Sequence, residues 1–170
     1  MTVLPIRLYP DPVLLTPARE ITDINGELQA LIDAMAATMY HAPGLGLAAN
    51  QVGELKRLIV FDVDQKEGSP RLQVLINPVL TAQEGEIVYN EGCLSVKDFS
   101  AEVRRAARVC VEGFDREGRP VCLEAEGLLA IVLQHELDHL EGKLFLDRIS
   151  RLKKNLYIRR LKKQQREAAA

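Results

Sequence analysis

Apolar residues recur along this chain with two different periods, and the switches between them mark out its elements. Leu28, Leu31, Ile32, Met35, Met39 and Tyr40 repeat at helical spacing over Glu27 to Tyr40, which predicts an amphipathic helix packed on one face. His41-Ala42-Pro43-Gly44 ends it, and His41 is read as a terminal polar residue without a catalytic role. Short apolar runs then predict strands at Arg57 to Val63, Leu72 to Ile76, Val79 to Thr81 and Glu86 to Tyr89. A hairpin is predicted from Arg108 to Phe114 and Pro120 to Ala125, turning through Asp115-Arg116-Glu117-Gly118. The run Leu128-Leu129-Ala130-Ile131-Val132-Leu133 is too continuous for a one-sided helix. Gly127 and Gly142 bracket it, so a helix buried on most faces is expected from Leu128 to Glu141. Ahead of all these, Met1 to Glu20 carries Pro5, Pro10, Pro12 and Pro17 and reads as an extended arm lying on the body. The strands precede the buried helix and do not alternate with helices. That order predicts an α+β fold, mainly antiparallel sheets around a central buried helix, with a further helix at the C-terminus.

At 170 residues the chain suits one domain: a body over 1–146 that includes the arm, and a helical tail of the same domain over 147–170. The formal net charge of −2 conceals an asymmetry between these parts. From Asp147 to Ala170 nine basic side chains face two acidic ones, whereas the first 146 residues carry 13 basic and 22 acidic. A basic tail on an acidic body suggests a polyanionic partner such as RNA or the ribosome; the plainer alternative is a solvated terminal helix. No apolar stretch approaches the ~20 residues of a membrane span, and the N-terminus lacks the basic-then-apolar pattern of a secretion signal. A cytoplasmic protein with no membrane or DNA partner is expected. Three cysteines cannot all pair within one chain, and a reducing compartment keeps them as thiols.

The chemistry concentrates in the buried helix. At ~100° per residue His135 and His139 lie one turn apart on one side, so both imidazoles reach the same point, and Glu136 projects beside them. In this HExxH pattern two neutral imidazoles bind a metal and the carboxylate takes a proton from water. Asp138 falls on the other flank and is read as structural. The third ligand is less plain. The downstream histidine of one metalloprotease class should stand at position 145, which is Phe145, and Glu141 and Glu167 are poorly placed. Cys110 and Cys122 sit in the hairpin among apolar neighbours and read as buried, inert thiols. Cys93, beside Gly92 in a turn-like stretch, is the best candidate. Gly44-Leu45-Gly46-Leu47-Ala48-Ala49-Asn50-Gln51 fits a dinucleotide fingerprint, but a helix precedes it and Gly53 interrupts the segment after it. Such a small-residue loop can instead line a cleft and pair its backbone with an extended peptide, with the Gln51 amide as a donor.

Taken together, GLGLAANQ at Gly44 to Gln51, EGCLS at Glu91 to Ser95 and HELDH at His135 to His139 resemble the three motifs of the peptide deformylase family, in the same order and with similar spacing. The resemblance covers essentially the whole chain. It implies that Cys93, His135 and His139 hold one divalent metal, iron(II) in the cell, although this ligand set also suits zinc, nickel or cobalt. It further implies Glu136 as general acid and base, the Gln51 amide and Leu94 N–H as donors to the substrate oxygen, and Glu91 paired with Arg105. Gly44, Leu45, Gly46 and Leu47 should pair with substrate backbone, while Leu45, Tyr89, Leu128, Ile131 and Val132 line an apolar pocket for a methionine side chain. The implied reaction removes the formyl group from formyl-methionine at the N-terminus of nascent polypeptides. One departure is Lys97, where the family usually has proline, in a stretch expected at the cleft rim. The competing readings are a zinc endopeptidase of the HExxH kind and an RNA- or ribosome-binding module with a structural metal.

Overall fold

The computed structural model describes residues 2–66 and 68–170, so Met1 at the head of the expected arm lies outside them. Helix α1 spans Gly26–His41, and Asn25 caps it by accepting the Leu28 N–H at 3.0 Å. Seven strands follow one another as β1 (Gly46–Ala48), β2 (Leu58–Phe61), β3 (Gln73–Glu84), β4 (Ile87–Cys93), β5 (Val96–Arg105), β6 (Arg108–Phe114) and β7 (Pro120–Glu126). Helices α2 (Gly127–Leu140) and α3 (Arg151–Ala169) complete the order. Among the described residues these seven strands pair antiparallel throughout: one sheet runs β1-β2-β3-β6-β7, and β4 and β5 form a separate hairpin.

The unbroken apolar run of β2 has a physical reason, because this strand is covered on both faces. Leu58 and Val60 pack against α1 with Leu28, Ile32, Met35 and Met39. Ile59 and Phe61 face the other way, onto Leu133, Leu137 and Leu140 of α2. The sheet therefore separates the two helices. Fully buried leucines and isoleucines of this kind contribute about 1.5–3 kcal/mol each, which fixes α2 firmly against the sheet. The other side of α2 meets the β4–β5 hairpin, whose own small core joins Val96 and Val103 to Phe145 and Tyr157. Gly142 stops α2 at φ +74, where a left-handed residue lets the Lys143 N–H reach back to the Asp138 carbonyl at 2.9 Å.

The predicted strands at 72–76 and 79–81 prove to be one strand with an irregularity between them. Asn77 takes a left-handed φ of 52, and its side-chain amide exchanges two 2.8 Å hydrogen bonds with the backbone of Ile21. Pro78 has no N–H to pair, so the register shifts there and the strand continues to Glu84. The N-terminal arm is extended apart from one 3-10 turn at Pro12–Leu15. It ties distant elements together: the Arg7 N–H bonds the Gln51 carbonyl, Tyr9 bonds that of Ser95, and Ala18 bonds that of Leu140.

Candidate metal centre

Two elements deliver the donors. Cys93 ends β4 just before the two-residue turn Leu94-Ser95, while His135 and His139 stand one turn apart on α2. One ligand atom from each of the three lies within 4.8 Å of the others, and Cys93 Sγ is 3.3 Å from His139 Nε2. Glu91 Oε1 occupies His135 Nδ1 at 2.9 Å, which leaves the other ring nitrogen for the centre. The imidazole rings are 5.0 Å apart and nearly perpendicular.

The electrostatics suit a cation held at this point. Burial alone would lower the pKa of His135, but hydrogen bonds with Cys93 and Glu91 and the charges of Cys93 and Glu136 outweigh it and hold that pKa well above the usual value. Burial, reinforced by His135, keeps the His139 pKa well below, so this ring offers a lone pair. A thiol and two imidazoles converging where positive charge is favoured fit a single divalent metal ion, and the chemistry of the set leaves iron(II), zinc, nickel and cobalt open.

A buried charge network braces the ligands from behind. Arg105 clamps Glu91 through two 2.8 Å bonds, and its remaining nitrogen reaches Asp138 at 2.6 Å. Arg148 then meets the same Asp138 at 2.9 and 2.7 Å. Burial raises the Glu91 and Asp138 pKa values, but their arginine partners overcome it and keep both low. Asp138 is thus structural, as its place on the helix suggested.

On the open side, a cleft of about 460 Å³ brings together β1, the β4–β5 hairpin and α2. Gly44, Leu45, Gly46, Tyr89, Leu128, Ile131 and Val132 all line it, as do Gln51, Leu94 and Glu136. Leu47 does not, since its side chain is fully buried against α1. Gly46 is there because of space: a Cβ would stand 2.8 Å from Glu136 Oε1 and 3.0 Å from Val132 Cγ1. Gln51 is held by two neighbours, its Oε1 accepting the Ala48 N–H at 3.0 Å and its Nε2 donating to Ser95 Oγ at 3.1 Å. That orientation leaves the same Nε2 3.6 Å from Cys93 Sγ. Glu136 Oε2 is buried with no hydrogen-bond partner among the described residues, and desolvation raises its pKa to about 7.

Comparison with known proteins decides the family. The model of the polypeptide deformylase family matches residues 3–155. The chain belongs to the polypeptide deformylase family. It is 53% identical to the peptide deformylase of Thermodesulfovibrio yellowstonii over 95% of this chain and 98% of that one. It is also 53% identical to that of Desulfosudis oleivorans over 99% and 98%. The solved peptide deformylase from Legionella pneumophila superposes with a TM-score of 0.90 at 42% identity, covering 99% of this chain and 98% of its own. The Synechococcus elongatus deformylase in complex with actinonin gives 0.88 at 42% identity over 92% and 86%. The expected α+β fold and membership of a metallohydrolase family therefore hold, and neither the endopeptidase nor the binding-module reading finds support.

Sequence reading missed two supports of this deformylase centre. Ser95 lies inside the quoted EGCLS motif yet gave no sign that it would hold Gln51. Arg148 opens the basic tail, where one arginine with a fixed buried partner looks like any other. The reading of the hairpin thiols needs correction: Cys110 is half-buried and Cys122 exposed. Their apolar neighbours Val109, Val111, Val121 and Leu123 turn to the opposite face of the sheet, as strand alternation requires. Lys97 begins an exposed run in β5, and its neighbours Asp98 and Phe99 line the cleft.

Proposed function

We propose that the protein removes the formyl group from formyl-methionine at the N-terminus of nascent polypeptides in the cytoplasm, releasing formate. The observation that carries this reading is that the Cys93, His135 and His139 donors converge beside a cleft lined by Glu136, with its buried and unbonded Oε2, and by the braced Gln51 amide. When bound, the divalent ion, iron(II) in the cell by family resemblance, supplies Lewis acidity toward water and a carbonyl oxygen. Glu136 accepts the proton of the attacking water and returns it to the departing amine. Its burial suits it to both steps, because a carboxyl poised near neutrality gives and takes a proton with little penalty. Gln51 Nε2 and the Leu94 N–H meet charge developing on the formyl oxygen, each such donor being worth about 10²–10³ in rate.

Substrate binding follows from β1. Among the described residues this strand pairs with β2 alone, which leaves its other edge for an extended peptide beside Gly44, Leu45 and Gly46. Leu47 enters this account through its backbone, and Leu45, Tyr89, Leu128, Ile131 and Val132 accommodate the methionine side chain. Glu91 and Arg105 support the ligands. The body over 1–146 carries the catalysis, and the basic tail over 147–170, which contains α3, approaches the ribosome. Formate measured from a short formyl-methionyl peptide, with its internal bonds followed by mass spectrometry, tests the reading. Formate release with an intact peptide is expected; internal cleavage refutes it.

A further inference from the structure

The outer face of the β6–β7 hairpin holds two thiols that catalysis leaves idle. Cys110 Sγ and Cys122 Sγ lie 3.4 Å apart. The register pairs Cys110 with Glu124 and Glu112 with Cys122, so the cysteines are diagonal neighbours on one face. Val109, Val111 and Ala125 on the opposite face are buried in the core and hold the register, while Cys122 is open to solvent. A covalent bond requires the sulfurs to close by about 1.4 Å and the hairpin to twist enough to hold these diagonal Cα atoms within bridging range.

We propose that Cys110 and Cys122 form a reversible disulfide, a modification site separate from the metal centre. The oxidant is a low-molecular-weight disulfide of the glutathione class. Cys122, the more exposed, loses its proton and attacks one sulfur of that disulfide; the other sulfur leaves as a thiolate and takes up a proton. Cys110 then loses its proton and attacks Cys122 Sγ, expelling the second small thiol. Two protein S–H bonds become one S–S bond, and the S–S bond of the oxidant becomes two S–H bonds. The hydrogen bond with Cys110, together with Glu112 and Glu124, raises the Cys122 pKa and favours the thiol, so exchange is slow until oxidant accumulates. The bond spans 12 positions and clips β6 to β7, and β7 passes straight from Glu126 into α2 at Gly127. Oxidation therefore stiffens the strand that leads into the metal-bearing helix.

The test uses the full-length, metal-loaded protein in buffers of increasing glutathione disulfide over glutathione. Remaining thiols are alkylated and located by intact mass and peptide mapping. The expected product is lighter by two hydrogens, protected at both Cys110 and Cys122, returned to the dithiol by dithiothreitol, and higher in Tm by up to about 10 °C. Cys110→Ser should instead trap a glutathione adduct on Cys122 with no rise in Tm. The proposal is overturned if both thiols of the wild type stay alkylatable in excess glutathione disulfide. Separate, stable adducts on the two cysteines overturn it equally.

Discussion

Replacing Arg105 by methionine isolates the contribution of the network behind the metal centre. Arg105, Glu91 and Asp138 have side chains only 2%, 3% and 10% exposed, so water cannot stand in for the lost guanidinium. Removing one partner of a buried ion pair costs about 3–5 kcal/mol. At about 2–4 °C per kcal/mol for a chain of this size, Tm should fall by about 6–20 °C. The two stranded carboxylates are not equivalent. Asp138 keeps Arg148, whereas Glu91 keeps only His135. Adding Glu91→Gln to the variant should therefore restore more stability than adding Asp138→Asn. Arg105→Lys, which retains the charge but not the two-pronged bond, should fall between wild type and methionine. Urea unfolding of chelated protein measures these losses without a contribution from bound metal. In a separate titration, zinc affinity should weaken about 10–100-fold, since Glu91 orients His135. A stability loss below about 1 kcal/mol with unchanged zinc affinity would contradict this account, because it would mean the network is effectively solvated.

The other expectations are simpler. Glu136→Gln should lower kcat by about 10²–10⁴ while metal content and circular dichroism stay at wild-type levels; near-normal turnover would remove Glu136 from the mechanism. Gly46→Ala should depress kcat without unfolding the protein, through the 2.8 Å approach of a Cβ to Glu136 Oε1, and formate assays with thermal melts would separate the two effects. Burial raises the Asp62 pKa, but the Tyr40 hydroxyl and the N–H groups of Gln65, Arg71 and Asp64 overcome this and hold it below the usual carboxylate range. Its ionised form thus stabilises the fold above about pH 4 and loses that effect as pH falls through the lower folded value. Asp62→Asn should flatten urea midpoints measured over that acid range, and an unchanged slope would argue against it. Ribosome binding by the tail is best tested by truncation after Leu161. A cut at Arg151 would also remove Tyr157, which is buried against Tyr9 and Phe99 beside the cleft. The shorter truncation should weaken salt-sensitive binding and spare cleavage of short peptides; cosedimentation unaffected by it would exclude the tail.

Helix α2 and the β6–β7 hairpin were legible because a single local signal fixes each: a continuous apolar run between glycines, and an Asp-x-x-Gly turn between alternating residues. The candidate metal donors His135 and His139 are visible from helical spacing, and Cys93 from the order of the motifs. What stayed hidden depends on partners distant in sequence. Asn77-Pro78 reads as a strand terminator, and partners remote in sequence, the Ile21 backbone and Arg57, carry the strand through it. In β5, Lys97 and Asp98 and a left-handed φ of 55 at Asp98 break the alternation that would announce a strand. The exposure of the hairpin thiols is hidden because their sequence neighbours are apolar, while strand alternation puts thiols and neighbours on opposite faces.

The one-sided pairing of β1 bears on breadth of use. A strand edge presents N–H and C=O groups that every polypeptide can match, so it cannot tell one protein from another. The strand is only three residues long, so under the proposed binding mode a growing chain needs to present only its first few residues. Discrimination is then left to the first side chain and its cap, which suits a processing step that must act on many unrelated sequences with one enzyme.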